Sequence, residues 1–133
     1  MPRLDWDAYW LEVARSIAKR STCPRLAVGC VITLNNKILV SGYNGASPGE
    51  PHCDEVGCHI VDSHCKRTVH AETNALNQLT KTSDRMVLYA THEPCELCRI
   101  QITRHQIKSI VYGTKYNSKT NIWRYDHDGF RES

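Results

Sequence analysis

Two short stretches of this chain hold residue types that do chemistry together. His70-Ala71-Glu72 sets an imidazole two positions before a carboxylate, and Pro94-Cys95-Glu96-Leu97-Cys98 sets two thiols three apart. Cysteines three apart on a helix share a face, so both sulfurs can reach one ion. His70, Cys95 and Cys98 make three ligands. Three protein ligands and a water complete the tetrahedral geometry of a catalytic zinc. Glu72 then serves better as a general acid/base than as a fourth ligand. The ion lowers the pKa of its water, and Glu72 takes the proton and returns it to the substrate.

Either half alone is weak. A lone CxxC also fits a redox pair or half of a zinc ribbon. A redox motif, however, follows a first strand, and a ribbon needs a second CxxC that this chain lacks. A lone histidine is more often a cap or a core residue. The joint pattern is stronger because each half opens an expected helix. Helix N-termini carry partial positive charge, which favours thiolates at Cys95 and Cys98.

The elements that must position these residues can be read from periodicity. Trp6, Tyr9, Trp10, Val13 and Ile17 recur at helical spacing over 5–20, with Asp5 as N-cap and Pro24 as a stop. Residues 26–34 form a near-continuous apolar run, Asn35-Asn36 is a turn signal, and 37–42 reads as the second strand of a hairpin. Residues 43–69 show no period and hold three cysteines and three histidines, which a bound metal would organise. A helix is expected over 70–81, with Ala71, Ala75, Leu76 and Leu79 inward. A strand follows at 86–91, then a helix over 94–106 with Pro94 at its first position, then a strand at 108–113. The closing strand, helix and strand imply a parallel pair joined by a right-handed crossover, hence a layered α/β domain. The tail, 114–133, is polar and aromatic with weak periodicity.

Composition bounds the answer. The chain has 133 residues, 41% hydrophobic and 23% charged, which is ordinary for one globular domain and excludes disorder and collagen. No apolar run approaches the length of a membrane span. The first ten residues lack the apolar stretch of a signal peptide, which points to a cytoplasmic protein. The formal charge is +3, from 17 basic and 14 acidic residues. That suits a small anionic ligand better than a nucleic-acid track. Seven cysteines, an odd number, argue for metal binding over a disulfide framework.

The paired motif is the signature of zinc-dependent deaminases. Further stretches narrow the resemblance: Thr22-Cys23-Pro24-Arg25-Leu26-Ala27-Val28-Gly29, Gly42-Tyr43-Asn44-Gly45, Pro51 to Cys58, and His64 to Ala75. From about residue 10 to residue 116 the chain resembles the deoxycytidylate (dCMP) deaminase family, above all its bacterial and phage members. That resemblance implies one CMP/dCMP-type deaminase domain over 1–133, with a three-layer α/β/α fold and a central mixed sheet. It implies hydrolysis of dCMP at C4 to dUMP and ammonia, which supplies thymidylate synthesis, in a cytoplasm that is the host's if the chain is phage-borne.

The resemblance also assigns residues. Arg25 and Tyr116 bind the substrate phosphate, Asn44 binds a sugar hydroxyl, and the Ala71 N–H with the carbonyl of Thr91 or a neighbour holds the pyrimidine edge. Gly42, Tyr43 and Gly45 belong to an effector site where dCTP activates and dTTP inhibits, with Mg2+ on the triphosphate. The plain alternatives are a surface arginine, an exposed tyrosine and glycines that serve a turn. Some family members hold a second, structural zinc. Here Cys23, Cys53, Cys58 and Cys65 are its candidates, with His52, His59 and His64 as alternatives. Cys30 is expected in the core. The family assembles as oligomers, often homohexamers, with Trp6, Trp10, Trp123 or Tyr125 as possible interface residues. Rival readings are a tRNA adenosine deaminase, disfavoured by the low charge, a closed structural zinc module, disfavoured by Glu72, and a nucleoside cytidine deaminase, which has no need of Arg25.

Overall fold

Strand β1 (Gly29–Leu34) is buried along almost its whole length, so its neighbours must cover both of its faces. A computed structural model describes residues 3–23, 26–45, 60–61, 64–65, 69–113, 122–126 and 129–132. Arg25, His52, Cys53, Cys58, His59 and Tyr116 lie outside them, as do the side chains of His64, Cys65, Trp123 and Tyr125. The element order is α1 (Trp6–Ala18), β1, β2 (Lys37–Tyr43), β3 (Ile60–Val61), β4 (His64–Cys65), α2 (Ala71–Leu76), β5 (Met86–Ala90), α3 (Glu96–Arg104), β6 (Ser109–Gly113), β7 (Ile122–Asp126) and β8 (Gly129–Glu132). The main sheet has the order β2-β1-β5-β6-β7-β8, and β3 pairs with β4 in a separate ribbon. The β5/β6 pair is parallel and the other pairs of the main sheet are antiparallel, so the sheet is mixed as expected.

The β1–β2 hairpin forms at Asn35-Asn36, both in the left-handed region at φ 53° and 59°. Asparagine tolerates that region, and two such residues give a turn whose twist matches the strands. On one sheet face α1 packs Trp10, Leu11 and Ala14 against Val31, Tyr89 and Val111. On the other, Ala71, Ala75, Leu76 and Ile102 pack against Cys30, Ile32, Leu88, Ala90 and Ile110. The result is the three-layer α/β/α arrangement, with Cys30 in its core.

Both helix layers come close because glycine stands beneath them. A Cβ on Gly29 would lie 2.0 Å from the Ala14 carbonyl oxygen, and one on Gly42 would lie 2.4 Å from that of Ala71. The contact at Gly29 explains a shift in the face of α1. Its buried residues are Trp10, Leu11, Ala14 and Ala18, so the small residues meet the strand, while Trp6 and Tyr9 remain exposed. Asp5 caps the helix, its carboxylate accepting from the Ala8 N–H at 2.8 Å.

Three expectations are corrected. The helix expected over 70–81 ends at Leu76, because the N–H groups of Gln78 and Leu79 turn back to the carbonyls three residues earlier and leave Leu79 against the core. Pro94 precedes α3 rather than opening it, since Cys95 is extended (φ −69°, ψ 167°) and is itself the N-cap. The tail contributes two strands, β7 and β8, which extend the sheet from β6. Their apolar and polar residues alternate over too few positions to outweigh the polar composition.

Forcing a methyl group between two backbones is overpacking of a kind that costs ~1–3 kcal/mol. Gly29→Ala and Gly42→Ala are therefore expected to lower the urea midpoint by at least that equivalent. Gly113→Ala, whose Cβ would meet nothing nearer than 3.2 Å, is expected to lower it less.

Candidate metal centre and active site

The sequence elements converge at the starts of α2 and α3. His70 is the N-cap of α2 and Cys95 the N-cap of α3, and neither side chain caps its own helix. Both side chains turn instead toward each other. His70 Nδ1 lies 3.2 Å from Cys98 Sγ and 3.7 Å from Cys95 Sγ. Among the described residues these three form a cluster able to hold a metal ion, with all ligand atoms within 4.8 Å of one another. Tetrahedral zinc, with Zn–N about 2.0–2.1 Å and Zn–S about 2.3 Å, sets its nitrogen and sulfur ligands about 3.6 Å apart. The triangle fits that spacing, and one imidazole with two thiolates suits zinc.

Glu72 sits one residue into α2 and is 4% exposed. Burial pushes its carboxyl up from 4.5 to about 7, partly offset by a backbone hydrogen bond. The Cys98 thiol is also pushed well up, first by burial, then by the Glu72 carboxylate and by Cys95, with the Thr73 hydroxyl acting the other way. Burial thus outweighs the helix start that was expected to favour the Cys98 thiolate, and a cation is what would restore it. Cys30, beneath them, is raised by burial, Glu72 and Cys98. In the strands' loop, Glu93 pairs with Arg99 across Pro94-Cys95 and ties the ligand turn to α3.

The frame around these groups is built largely by Gly42-Tyr43-Asn44-Gly45. Gly42 admits the α2 backbone. The Tyr43 carbonyl accepts from Asn74 Nδ2 at 2.8 Å. Asn44 is buried, its Oδ1 accepting from the Val28 N–H at 2.9 Å and its Nδ2 donating to the Leu26 carbonyl at 2.6 Å. Gly45 exchanges two backbone hydrogen bonds with Val69, the residue before His70. Asn74 and Gln78 were not singled out from sequence. Both donate to carbonyls of the edge strand β2, Gln78 to Ser41 at 2.7 Å. The signal was there: amides facing the sheet side of a short helix that follows an edge strand.

Of the other expected residues, Ala71 is fully buried at the start of α2. Thr91 continues β5 by exchanging bonds with Gly29, its N–H donating to the Gly29 carbonyl and its hydroxyl accepting from the Gly29 N–H. Cys23 is a half-buried free thiol.

With this geometry in place, comparison with known proteins is informative. The family described as "Cytidine and deoxycytidylate deaminase zinc-binding region" matches residues 4–114, and the chain belongs to it. ComE operon protein 2 of Bacillus subtilis is 40% identical over 121 residues, covering 89% of this chain and 64% of that protein. The deoxycytidylate deaminase of Schizosaccharomyces pombe is 38% identical over 125 residues, covering 86% of this chain and 39% of that enzyme. The chain thus spans less than two thirds of the length of either. The dCMP deaminase of cyanophage S-TIM5, solved in complex with dCMP and dUMP, superposes with a TM-score of 0.72 at 26% identity, covering 87% of this chain and 86% of that one. No helix among the described residues is long and apolar enough to cross a membrane.

The raised Glu72 pKa has a consequence for the metal-free protein. The unfolded carboxyl titrates near 4.5 and the folded one near 7. Folding therefore favours the neutral form, and native stability falls as pH rises between those values. Glu72→Gln removes this cost. In chelator-treated protein it is expected to raise the melting temperature more at pH 8 than at pH 5, as read by thermal denaturation.

Proposed function

We propose that this chain is a zinc-dependent dCMP deaminase that converts dCMP to dUMP with release of ammonia. The observation that carries the reading is the triangle of His70 Nδ1, Cys95 Sγ and Cys98 Sγ with a buried, proton-competent carboxyl, Glu72, one residue into the same helix start. The choice of dCMP is supported by the phage neighbour solved with dCMP and dUMP. His70, Cys95 and Cys98 would hold the ion, which when bound supplies Lewis-acid activation of a water molecule. Glu72 accepts a proton from the attacking water, passes it to pyrimidine N3, and then delivers a proton to the departing amino group. One C4–O bond forms, one C4–N bond breaks, and the nitrogen leaves as ammonia. A carboxyl titrating near neutrality is matched to both halves of that transfer.

Finer parts of the reading rest on the motif residues. Arg25 and Tyr116 bind the phosphate, Asn44 a sugar hydroxyl, and the Ala71 N–H the base edge. Gly42, Tyr43 and Gly45 belong to an effector site, with dCTP activating and dTTP inhibiting as Mg2+ complexes. Cys23, Cys53, Cys58 and Cys65, or a histidine among His52, His59 and His64, hold a second zinc. The chain is one domain, acts in the cytoplasm to supply dUMP for thymidylate synthesis, and assembles as a homohexamer. The complete Gly42-Tyr43-Asn44-Gly45 motif supports the effector site, and the density of cysteines between 53 and 65 supports the second zinc.

Zinc-replete protein is expected to lower the ultraviolet absorbance of dCMP and to act poorly on cytidine and deoxycytidine. Chelation should abolish the activity and zinc should restore it. Glu72→Gln should lose about 10²–10⁴-fold in kcat, the usual worth of a general acid/base, while retaining its zinc. Absence of turnover by zinc-loaded protein on dCMP overturns the substrate assignment. Added dCTP–Mg2+ should raise the rate at low dCMP, and metal analysis should give two zinc ions per chain; one zinc refutes the second site.

A further inference from the structure

Helix α3 spends one side on the fold and leaves the other open. Cys98 and Ile102 are buried, and Gln101 accepts from the Thr73 hydroxyl of α2 at 2.8 Å. On the opposite side Leu97 is 64% exposed and Ile100 42%, although both are large and apolar. Glu96, Thr103 and Arg104 are exposed around them. Glu96, Ile100 and Arg104 stand four residues apart, so they form one row along the helix: acid, apolar, base. Neither Glu96 nor Arg104 makes an ion pair with a described residue.

We propose that this row is a twofold contact between two copies of the chain, α3 packing antiparallel on α3 about Ile100. The row is its own complement. Under a dyad at Ile100, residues equally far from it come opposite each other. Glu96 and Arg104 are each four positions away, so the acid of each copy meets the base of the other. Leu97 meets the partner's Thr103 by the same count, and Ile100 meets its own mate. Rows of this spacing lie side by side when two helices pack in their commonest crossing geometry, so the whole row can engage. Charge sets the direction. A parallel pair would put Glu96 on Glu96 and Arg104 on Arg104, and would bring like ends of the two helix dipoles together. A dyad is the commonest symmetry of homo-oligomers, and it demands a surface that complements itself. An unrelated partner would need no such reversal of charge about a central apolar residue. Leu97 stands between Cys95 and Cys98, so the contact also packs on the ligand turn. The inference deepens the reading of the chain as a homo-oligomeric enzyme and rests on it.

The test is molar mass by light scattering over a dilution series of the zinc-loaded full chain, with circular dichroism to confirm that each variant is folded. Ile100→Asp sets two like charges on the dyad. Glu96→Arg and Arg104→Glu each set like charges at both ends of the row. Each is expected to weaken association at least about tenfold and to halve the mass, from dimer to monomer or from hexamer to trimer. An equimolar mixture of the Glu96→Arg and Arg104→Glu proteins should recover the wild-type mass, because every arginine in the mixed pair again faces a glutamate. The double variant should recover it for the same reason. Wild-type mass in Ile100→Asp and Glu96→Arg, or a mixture that stays dissociated, overturns the proposal. So does a monomeric wild type, and dCMP turnover by that monomer would overturn the contact while leaving the enzyme reading intact.

Discussion

The constraint on which the site depends is the absence of a side chain at Gly42. The Ala71 carbonyl and the Ala75 N–H of α2 occupy the space where a Cβ would stand. That contact sets the height of a six-residue helix above the sheet, and the helix is too short to be held by its own hydrogen bonds. His70 and Glu72 flank Ala71, so their positions follow from it. Asn74 and Gln78 then fix the helix along the strand by donating to the Tyr43 and Ser41 carbonyls. These bonds also satisfy an edge strand that would otherwise present open acceptors. Gly29 does the same service on the opposite face, where α1 closes the second layer.

Burial creates the chemistry and also its cost. Glu72, Cys98 and Cys30 are enclosed together: the Glu72 carboxylate raises the proton affinity of both thiols, and Cys98 raises that of Cys30. Protonated, the cluster is neutral and stable but has no nucleophilic or ligating sulfur. A divalent cation changes that balance, because it pairs with the thiolates and leaves the carboxyl free to exchange protons. A fold that buries three acids beside a histidine is thus arranged for a metal in a way that the motif spacing alone does not convey. Of the two acids outside the candidate ligand set, Cys30 is held protonated by burial in the core, whereas Glu72 titrates near neutrality and remains available for proton transfer.

Much of this was legible in the sequence because the signals were local. The apolar run over 26–34, the Asn35-Asn36 turn and the capped start of α1 each depend on neighbours in the chain; the turn and the cap form where expected, and the strand forms over Gly29–Leu34, the last six residues of its run. The ligand set was legible because the cysteines share one helix and His70 opens another. What was not legible depends on contacts distant in sequence. The early end of α2 and the inward turn of Ala14 and Ala18 follow from where the sheet lies beneath each helix. The strands in the tail exist because β6 offers a free edge. Thr73 and Gln101 are ordinary helix residues until α2 and α3 are placed side by side.

Gly42-Tyr43-Asn44-Gly45 shows how a motif tied to ligands can first be architecture. Gly42 seats α2, the Tyr43 carbonyl anchors Asn74, Asn44 holds the backbone of 26 and 28, and Gly45 holds Val69 beside His70. Each of the four acts through a backbone group or a buried amide. Asn44 is the one that retains further capacity, since its amide has a second proton and its oxygen a second lone pair. Its two bonds fix Leu26 and Val28, and so the stretch of chain that leads into β1. A substitution at Gly42, by contrast, moves α2, His70 and Glu72 before it can touch any nucleotide. Ligand effects in this motif are therefore to be read at the half-buried Tyr43 side chain, since Tyr43 serves the frame through its carbonyl and its ring can change while the frame stays intact.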